Sequence, residues 1–157
     1  MKTQNIIKLI IALVACQAAG FIGSLFTTPY IKTWYATIAH PAFAPPNWVF
    51  APVWTFLFLS IGISFYLVWT KQTKKPKTKA YYWFGIQLVL NMLWSLLFFT
   101  VHSPLLAFIE IVLLFIAILM TTFYAYKISK NAAYLLILYI LWVGFAGALN
   151  LAFVLLN

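Results

Sequence analysis

The sequence predicts an all-α membrane protein, folded as a bundle of five transmembrane helices in a single domain that covers residues 1–157. Hydrophobic residues make up 66% of the chain and charged residues 7%, with a mean hydropathy of +1.02, which leaves too little polar surface for a water-soluble domain. The apolar residues fall in five runs of about 19–25 residues, each long enough to cross a hydrocarbon core of about 30 Å as a helix. These runs cover residues 6–27, 52–70, 80–101, 105–126 and 132–156.

The first run starts in the way that a secretory signal peptide does, because Lys2 and Lys8 lie at its beginning. It is longer than the apolar core of a signal peptide, and no small-residue cleavage site precedes the following connection. We therefore expect a retained transmembrane helix.

The lysines are distributed unevenly between the two sets of connections. The net charge is +9, from ten lysines and one glutamate, with no arginine and no aspartate. Lys32 lies in the first connection, and the other nine lie at the N-terminus and in the second and fourth connections: Lys2, Lys8, Lys71, Lys74, Lys75, Lys77, Lys79, Lys127 and Lys130. By the positive-inside rule, this asymmetry predicts a cytoplasmic N-terminus, an outward-facing first connection and a C-terminus outside.

The densest lysine segment is "KQTKKPKTK", residues 71–79. It has no interleaved aromatic residues and no arginine, so we expect it to touch anionic lipid headgroups and not to bind nucleic acid.

Several kinds of chemistry are excluded by the residue inventory. The single cysteine, Cys16, excludes an internal disulfide framework and a cysteine-based zinc cluster. One carboxylate, Glu110, excludes paired acid–base catalysis and an aspartate-dependent triad within one protomer. His40, His102 and Glu110 match no metal-ligand spacing, so no metal site is predicted, although haem ligation by a loop histidine stays open.

Glu110 is the sharpest polar signal, because it lies inside the fourth apolar run. An ionisable group in a membrane span is a candidate functional residue, for example in proton coupling. The alternative is a structural group that is protonated or hydrogen-bonded to a neighbouring helix. His102, across the short "HSP" turn, is its nearest polar neighbour in the sequence.

The first connection, residues 28–51, is long and rigid. The segment "WYATIAHPAFAPPNWVFAPVW", residues 34–54, holds four of the seven prolines and three of the seven tryptophans, including Trp34. Proline fixes the backbone φ angle, so the segment predicts a stiff aromatic cover over the outer ends of the helices. Pro52 is expected to be the first residue of the second helix. The alternative is an aromatic belt that only anchors the connection at headgroup depth.

Helical periodicity places polar and aromatic residues on shared faces of the third and fifth runs. An asparagine in hydrocarbon needs a partner, so the faces with Asn91 and Asn150 should point into the bundle. We therefore expect an apolar cavity with a few indole and amide donors, or, alternatively, tryptophans that only fill the core. The residues of these faces are Asn91, Trp94, Ser95 and Phe98, and then Tyr139, Trp142, Ala146, Leu149 and Asn150, joined by Trp54 and Phe58 of the second run.

Small residues recur at four-residue spacing in the first and fifth runs. Such faces allow close helix approach, either within one bundle or between two protomers. They are Ala15, Ala19 and Gly23, and Gly144 with Ala148.

Three segments resemble the translocator protein family, which is called TspO in bacteria and is also known as the peripheral-type benzodiazepine receptor or tryptophan-rich sensory protein. They are "GSLFTTPYIKTWYATIAHPAFAPPNWVFAPVWTFLF", "NMLWSLLFFTVHSPLLAFIEI" and "LYILWVGFAGALN", in matching order and spacing. The resemblance implies a five-helix bundle, often a homodimer, that binds porphyrins and other tetrapyrroles. The all-helical spans favour a bacterial cell membrane, although some members of this family are placed in the outer membrane.

Carried over by position, the resemblance implies a ligand pocket beneath the first connection. Its lining would comprise Phe50, Ala51, Trp54, Asn91, Trp94, Trp142, Ala146 and Leu149. With Trp34 of the aromatic cover, and with Phe58 and Phe98 of the helix faces, this gives eleven candidate ligand-binding residues. Glu110 falls where the family usually has an acidic residue. The chain departs from the family at Phe43 and Leu138, where tryptophan and proline are frequent. The segment "LNLAFVLLN" lacks the tyrosine and the basic residue of the sterol motif, so cholesterol binding is not expected.

These observations lead to one main hypothesis and two others. The main one is a receptor or sensor that binds a haem-type tetrapyrrole or another hydrophobic small molecule as its ligand, with no required cofactor. Light- and oxygen-dependent degradation of porphyrin, which the resemblance associates with Trp54 and Trp142, is the second. A transporter that uses Glu110 for proton coupling is the third, although no internal repeat or broken helix supports it.

Overall fold

The computed structural model describes residues 3–157, so Lys2 lies outside the described residues. Five helical segments are long and apolar enough to cross a membrane, which confirms the predicted fold class of a multi-pass all-α protein. They run over Thr3–Tyr30, Asn47–Thr70, Thr78–Thr100, Pro104–Ile128 and Lys130–Leu156. No strand occurs within residues 3–157.

Three of the five segments change helix type or break along their length. The helices are α1 (Thr3–Thr27), α2 (Asn47–Thr70), α3 (Thr78–Ser95), α4 (Pro104–Ile128), α5 (Lys130–Leu135) and α6 (Ile137–Leu156). A 3₁₀ turn, Thr28–Tyr30, extends α1, and a π-helical turn, Leu96–Thr100, extends α3. The fifth run, predicted as one helix, is divided at Leu136.

The second helix begins earlier than predicted. We expected Pro52 as its first residue, but α2 starts at Asn47 and contains Pro52 in its second turn. The reason is the extended backbone of Pro46 (φ −55°, ψ 143°), whose carbonyl accepts the Val49 N–H at 3.0 Å and so starts the helix. A proline so near a helix start removes only one backbone hydrogen bond. The connection, named the lid below, therefore covers residues 28–46.

The close approach of α1 and α2 depends on a glycine. A Cβ at Gly62 would lie 3.1 Å from the Leu13 Cα and 3.2 Å from the Ala12 carbonyl oxygen. Of the predicted small residues, Ala19 and Gly23 are buried inside the bundle, whereas Ala15, Gly144 and Ala148 are exposed. The homodimer stays a prediction.

The lid and the lysine-rich connections lie at opposite ends of the helix bundle. α4 packs between α3 and α6, and α2 packs against α1 and α5. Two buried serines of α2 donate to α5 carbonyls, Ser60 to Leu135 at 2.7 Å and Ser64 to Ala132 at 2.8 Å. α2 and α6 are thus joined through α5 at the end opposite the lid, which we name the lysine end.

Candidate functional site

A cavity of about 540 Å³ lies beneath the lid, bounded by α1, α2, α3, α4 and α6. Aromatic side chains form much of its wall, and lid residues such as Tyr35 close its top. Nine of the eleven predicted ligand-binding residues line it: Phe50, Ala51, Trp54, Phe58, Asn91, Trp94, Phe98, Ala146 and Leu149. Phe50 and Ala51 were predicted from the resemblance alone, whereas the other seven lie on the faces that helical periodicity indicated.

Trp34 lies above the cavity without lining it. Its ring stacks on His102 at 4.6 Å and packs edge-to-face on Phe98 at 5.6 Å. Trp34 therefore packs the lid against the turn between α3 and α4.

Trp142 also lies outside the cavity lining, in contrast to the predicted inward position. Its ring lies 5.9 Å from Phe50 and 5.5 Å from Phe145, so Phe50 stands between Trp142 and the cavity. Trp142 instead lines a separate, lipid-facing groove of about 450 Å³ between α2 and α6, with Phe56 and Leu141 among its neighbours. The Trp142 Nε1 atom is buried and has no acceptor among residues 3–157.

Asn150 holds the upper part of the cavity wall together. It is 1% exposed, accepts the Trp94 Nε1–H at 2.9 Å and donates to the Pro104 carbonyl at 2.9 Å. One amide thereby joins α3, α4 and α6. Because the Trp94 N–H is used in this contact, Trp94 offers a ligand its ring face and not a donor.

A second polar chain lies deeper in the bundle. Asn91 donates to the Tyr139 hydroxyl, which in turn donates to Gln87 Oε1 at 2.8 Å. Gln87 was not singled out from the sequence, although a buried glutamine in a membrane span is the same signal as a buried asparagine. The Asn91 side chain also lines the cavity, so its carbonyl oxygen is available as an acceptor.

Glu110 is 3% exposed and lies outside the cavity lining. Neither carboxyl oxygen has a hydrogen-bond partner among residues 3–157. The predicted neighbour, His102, packs against Trp34 and Tyr30. Within the described residues, no three histidine, cysteine, aspartate or glutamate side chains come together.

The α3–α4 turn positions the aromatic end of the cavity. The π-helical turn closes with the Val101 N–H donating to the Leu96 carbonyl at 2.9 Å, and it buries both Phe98 and Phe99. His102 follows with φ 58°, a left-handed conformation that is uncommon for residues other than glycine. This backbone reversal sets the imidazole beneath the lid, where Trp34 stacks on it.

The lid is fastened at two further points. Tyr35 is 6% exposed, and its ring lies 5.5 Å from Phe99 and 5.7 Å from Phe153. Burial raises the pKa of the Tyr35 hydroxyl above its ordinary value of 10.0. The Asn157 side chain accepts the Ala39 N–H at 2.9 Å and donates to the Ala39 carbonyl at 3.1 Å. These contacts tie the lid to the ends of α3 and α6.

The cavity reaches the lipid-facing surface between α1 and α2, an opening that the sequence did not indicate. Exposed residues of both helices, including Phe21 and Thr55, line it. Gln17 bridges the gap by donating to the Thr55 carbonyl at 3.0 Å. Beside it, a Cβ at Gly20 would lie 2.6 Å from Phe58 Cδ2, so the position of Phe58 requires a glycine on α1.

Comparison with known proteins agrees with this architecture. The model of the TspO/MBR family matches residues 12–156. A protein of Archaeoglobus fulgidus named Tryptophan-rich protein TspO is 45% identical over 98% of this chain and 99% of its own length. A protein of the same name from Chlorobaculum tepidum is 39% identical over 98% of both chains. The human Translocator protein is 36% identical over 83% of this chain and 78% of its own length.

Proposed function

The chain belongs to the TspO/MBR family, as its motifs predicted, and from this premise we propose that it is a membrane receptor that binds porphyrins and related hydrophobic ligands in the cavity beneath the lid. The observation that carries the proposal is the aromatic cavity itself, with a volume of about 540 Å³. Pockets for small ligands commonly enclose about 300–1,000 Å³ and combine apolar walls with a few oriented polar groups.

The cavity wall suits a flat, aromatic ligand. Trp94 and Phe98 are stacked, with centroids 5.2 Å apart and planes 20° from parallel. Aromatic faces of this kind favour offset stacking with another π system. The Trp54 ring and the Asn91 carbonyl add one indole and one amide acceptor to the wall.

The lid supports this proposal, because its prolines and its contacts with Asn157 and Phe99 restrict its conformations, which should lower the entropic cost of covering a bulky ligand. The opening between α1 and α2 would let a hydrophobic ligand enter from the bilayer without passing through water.

Porphyrin degradation is the alternative activity. It assigns the chemistry to Trp54 and Trp142, of which Trp54 lines the cavity and Trp142 lies behind Phe50. This separation favours binding, since a ligand in the cavity would contact one of the two indoles.

The proposal is tested by tryptophan-fluorescence quenching with protoporphyrin, first in the dark and then under light. We expect saturable quenching with an unchanged porphyrin spectrum. The variant Trp54→Phe should weaken binding, and Trp83→Phe, which removes an indole that packs on Tyr82 away from the cavity, should not. Light-dependent loss of porphyrin absorbance that disappears in a Trp54→Phe, Trp142→Phe double variant would establish the enzyme instead. Absence of saturable quenching would overturn both.

A further inference from the structure

Two lysines from different helical segments meet at the lysine end, beside the last turn of α2. The Lys77 Nζ donates to the Trp69 carbonyl at 2.8 Å. The Lys8 Nζ lies 5.6 Å from the centroid of the Trp69 ring. Lys8 belongs to α1 and Lys77 precedes α3, so Trp69 contacts two ammonium groups whose residues are 69 positions apart in the chain.

The two ammonium groups have no acidic partner. The sole carboxylate of the chain, Glu110, lies buried in the second turn of α4, toward the lid. Burial, followed by the positive charge of Lys8, lowers the pKa of Lys77 below its ordinary value of 10.5. Like charges held together in this way favour an anion between them.

Both ammonium groups keep donors for such an anion. A lysine has three N–H donors, and Lys77 uses one on the Trp69 carbonyl. Among residues 3–157, the contact of the Lys8 Nζ is the one with the Trp69 ring, which uses none of its N–H donors in a hydrogen bond.

The surroundings of the two lysines favour a lipid as the source of such an anion. Lys8 lies on a helix whose neighbouring side chains, Ile7 and Ile11, are 52% and 50% exposed to the bilayer. A free ion at this level would meet hydrocarbon on one side, whereas a phospholipid would place its phosphate at the lysines and its acyl chains along α1. We propose that Lys8 and Lys77, gathered beside Trp69, form a binding site for the phosphate of an anionic phospholipid.

This site is separate from the porphyrin cavity, so the two proposals can fail independently. The test uses the full chain in a neutral detergent, titrated with phosphatidylglycerol or phosphatidylcholine, with native mass spectrometry to measure bound lipid. We expect one phosphatidylglycerol to bind more tightly than phosphatidylcholine. Either Lys8→Gln or Lys77→Gln should weaken that binding about tenfold, because each removes a charge-assisted hydrogen bond.

Lys75→Gln is the matched control. Lys75 lies in the same connection and also donates to a carbonyl at a helix end, that of Lys127 at 2.8 Å, but Trp69 does not join it to Lys8. It removes the same charge and a similar hydrogen bond, so phosphatidylglycerol affinity should stay within about threefold. Lys77→Arg, which keeps the charge, should retain binding. Lys77→Gln also removes the hydrogen bond to the Trp69 carbonyl at the end of α2, and this could destabilise the protein. Lys8→Gln keeps that hydrogen bond, so it tests lipid binding even if Lys77→Gln does not fold.

Three outcomes would overturn the proposal. Equal losses in Lys8→Gln, Lys77→Gln and Lys75→Gln would show a diffuse charged surface. Equal affinity for phosphatidylcholine would show that the negative headgroup is not recognised. Displacement of the lipid by millimolar inorganic phosphate would show a site for a free anion.

Discussion

A methyl group at Gly20 is predicted to weaken ligand binding by moving Phe58 into the cavity. A Cβ at this position would lie 2.6 Å from Phe58 Cδ2 and 2.7 Å from Cε2. Carbon atoms in contact are about 3.5–4.0 Å apart, so the ring must retreat by about 1 Å. Phe58 is buried against Trp54, at a centroid distance of 5.6 Å, and both rings line the cavity. The cavity is the free volume into which the ring can move.

The size of the effect follows from overpacking. Forcing an extra carbon into a packed site costs roughly 1–3 kcal/mol, which should appear as a lower free energy of unfolding for Gly20→Ala. A ring displaced into the ligand's space should also raise the Kd for protoporphyrin about tenfold, equivalent to about 1.4 kcal/mol. Unfolding in mixed detergent micelles and fluorescence quenching measure the two quantities.

Gly62→Ala separates the loss of stability from the loss of affinity. Its Cβ would meet the backbone of Leu13 and Ala12 at the α1–α2 crossing, and Gly62 does not line the cavity. We expect it to lower stability while leaving porphyrin affinity unchanged. A Gly20→Ala, Phe58→Leu double variant should recover stability, because the smaller side chain relieves the contact. Wild-type stability and affinity in Gly20→Ala would refute the reasoning.

Three other perturbations test the polar contacts of the site. Asn150→Ala should lower the free energy of unfolding by about 1–3 kcal/mol, because it leaves the Trp94 N–H buried and unpaired, and an unchanged unfolding curve would contradict this. Asn157→Ala should accelerate porphyrin dissociation severalfold by releasing Ala39 of the lid, whereas an unchanged stopped-flow off-rate would mean that the lid does not retain the ligand. Burial raises the pKa of the Tyr35 hydroxyl, so the folded protein favours the neutral tyrosine. The stability that this neutral side chain contributes is complete below pH 10.0, and it is lost as the pH rises through the pKa of Tyr35 in the folded protein. Alkaline unfolding should therefore move to higher pH in Tyr35→Phe, and an identical midpoint would exclude Tyr35 as the titrating group.

Local patterns in the chain were sufficient for the fold class and for most of the cavity. A span of about 20 apolar residues can satisfy its backbone in lipid only as a helix, so hydropathy alone predicts the five segments. The burial of Asn91 and Asn150 followed from the same reasoning, because an unpaired amide is costly in hydrocarbon. Periodicity then placed Trp94, Phe98 and Leu149 on the cavity side.

The segment boundaries were less accessible to this reasoning. The start of α2 at Asn47 depends on the extended conformation of Pro46, whereas the rule for proline at helix starts pointed to Pro52. The π-helical turn and the left-handed His102 are backbone conformations that composition does not reveal.

The contacts that give the site its shape join residues far apart in the chain, and they became visible only when the helices were packed. Helical spacing places Trp142 on the same face as Ala146, but Phe50 of α2 packs against its indole, and Trp142 does not line the cavity. The pairing of Asn157 with Ala39 likewise spans 118 residues. The sequence thus indicates which faces are polar enough to avoid lipid, since the residues on a face are set by one helix alone. Partners across helices depend on crossing angles and register, which are set by all the side chains packed together.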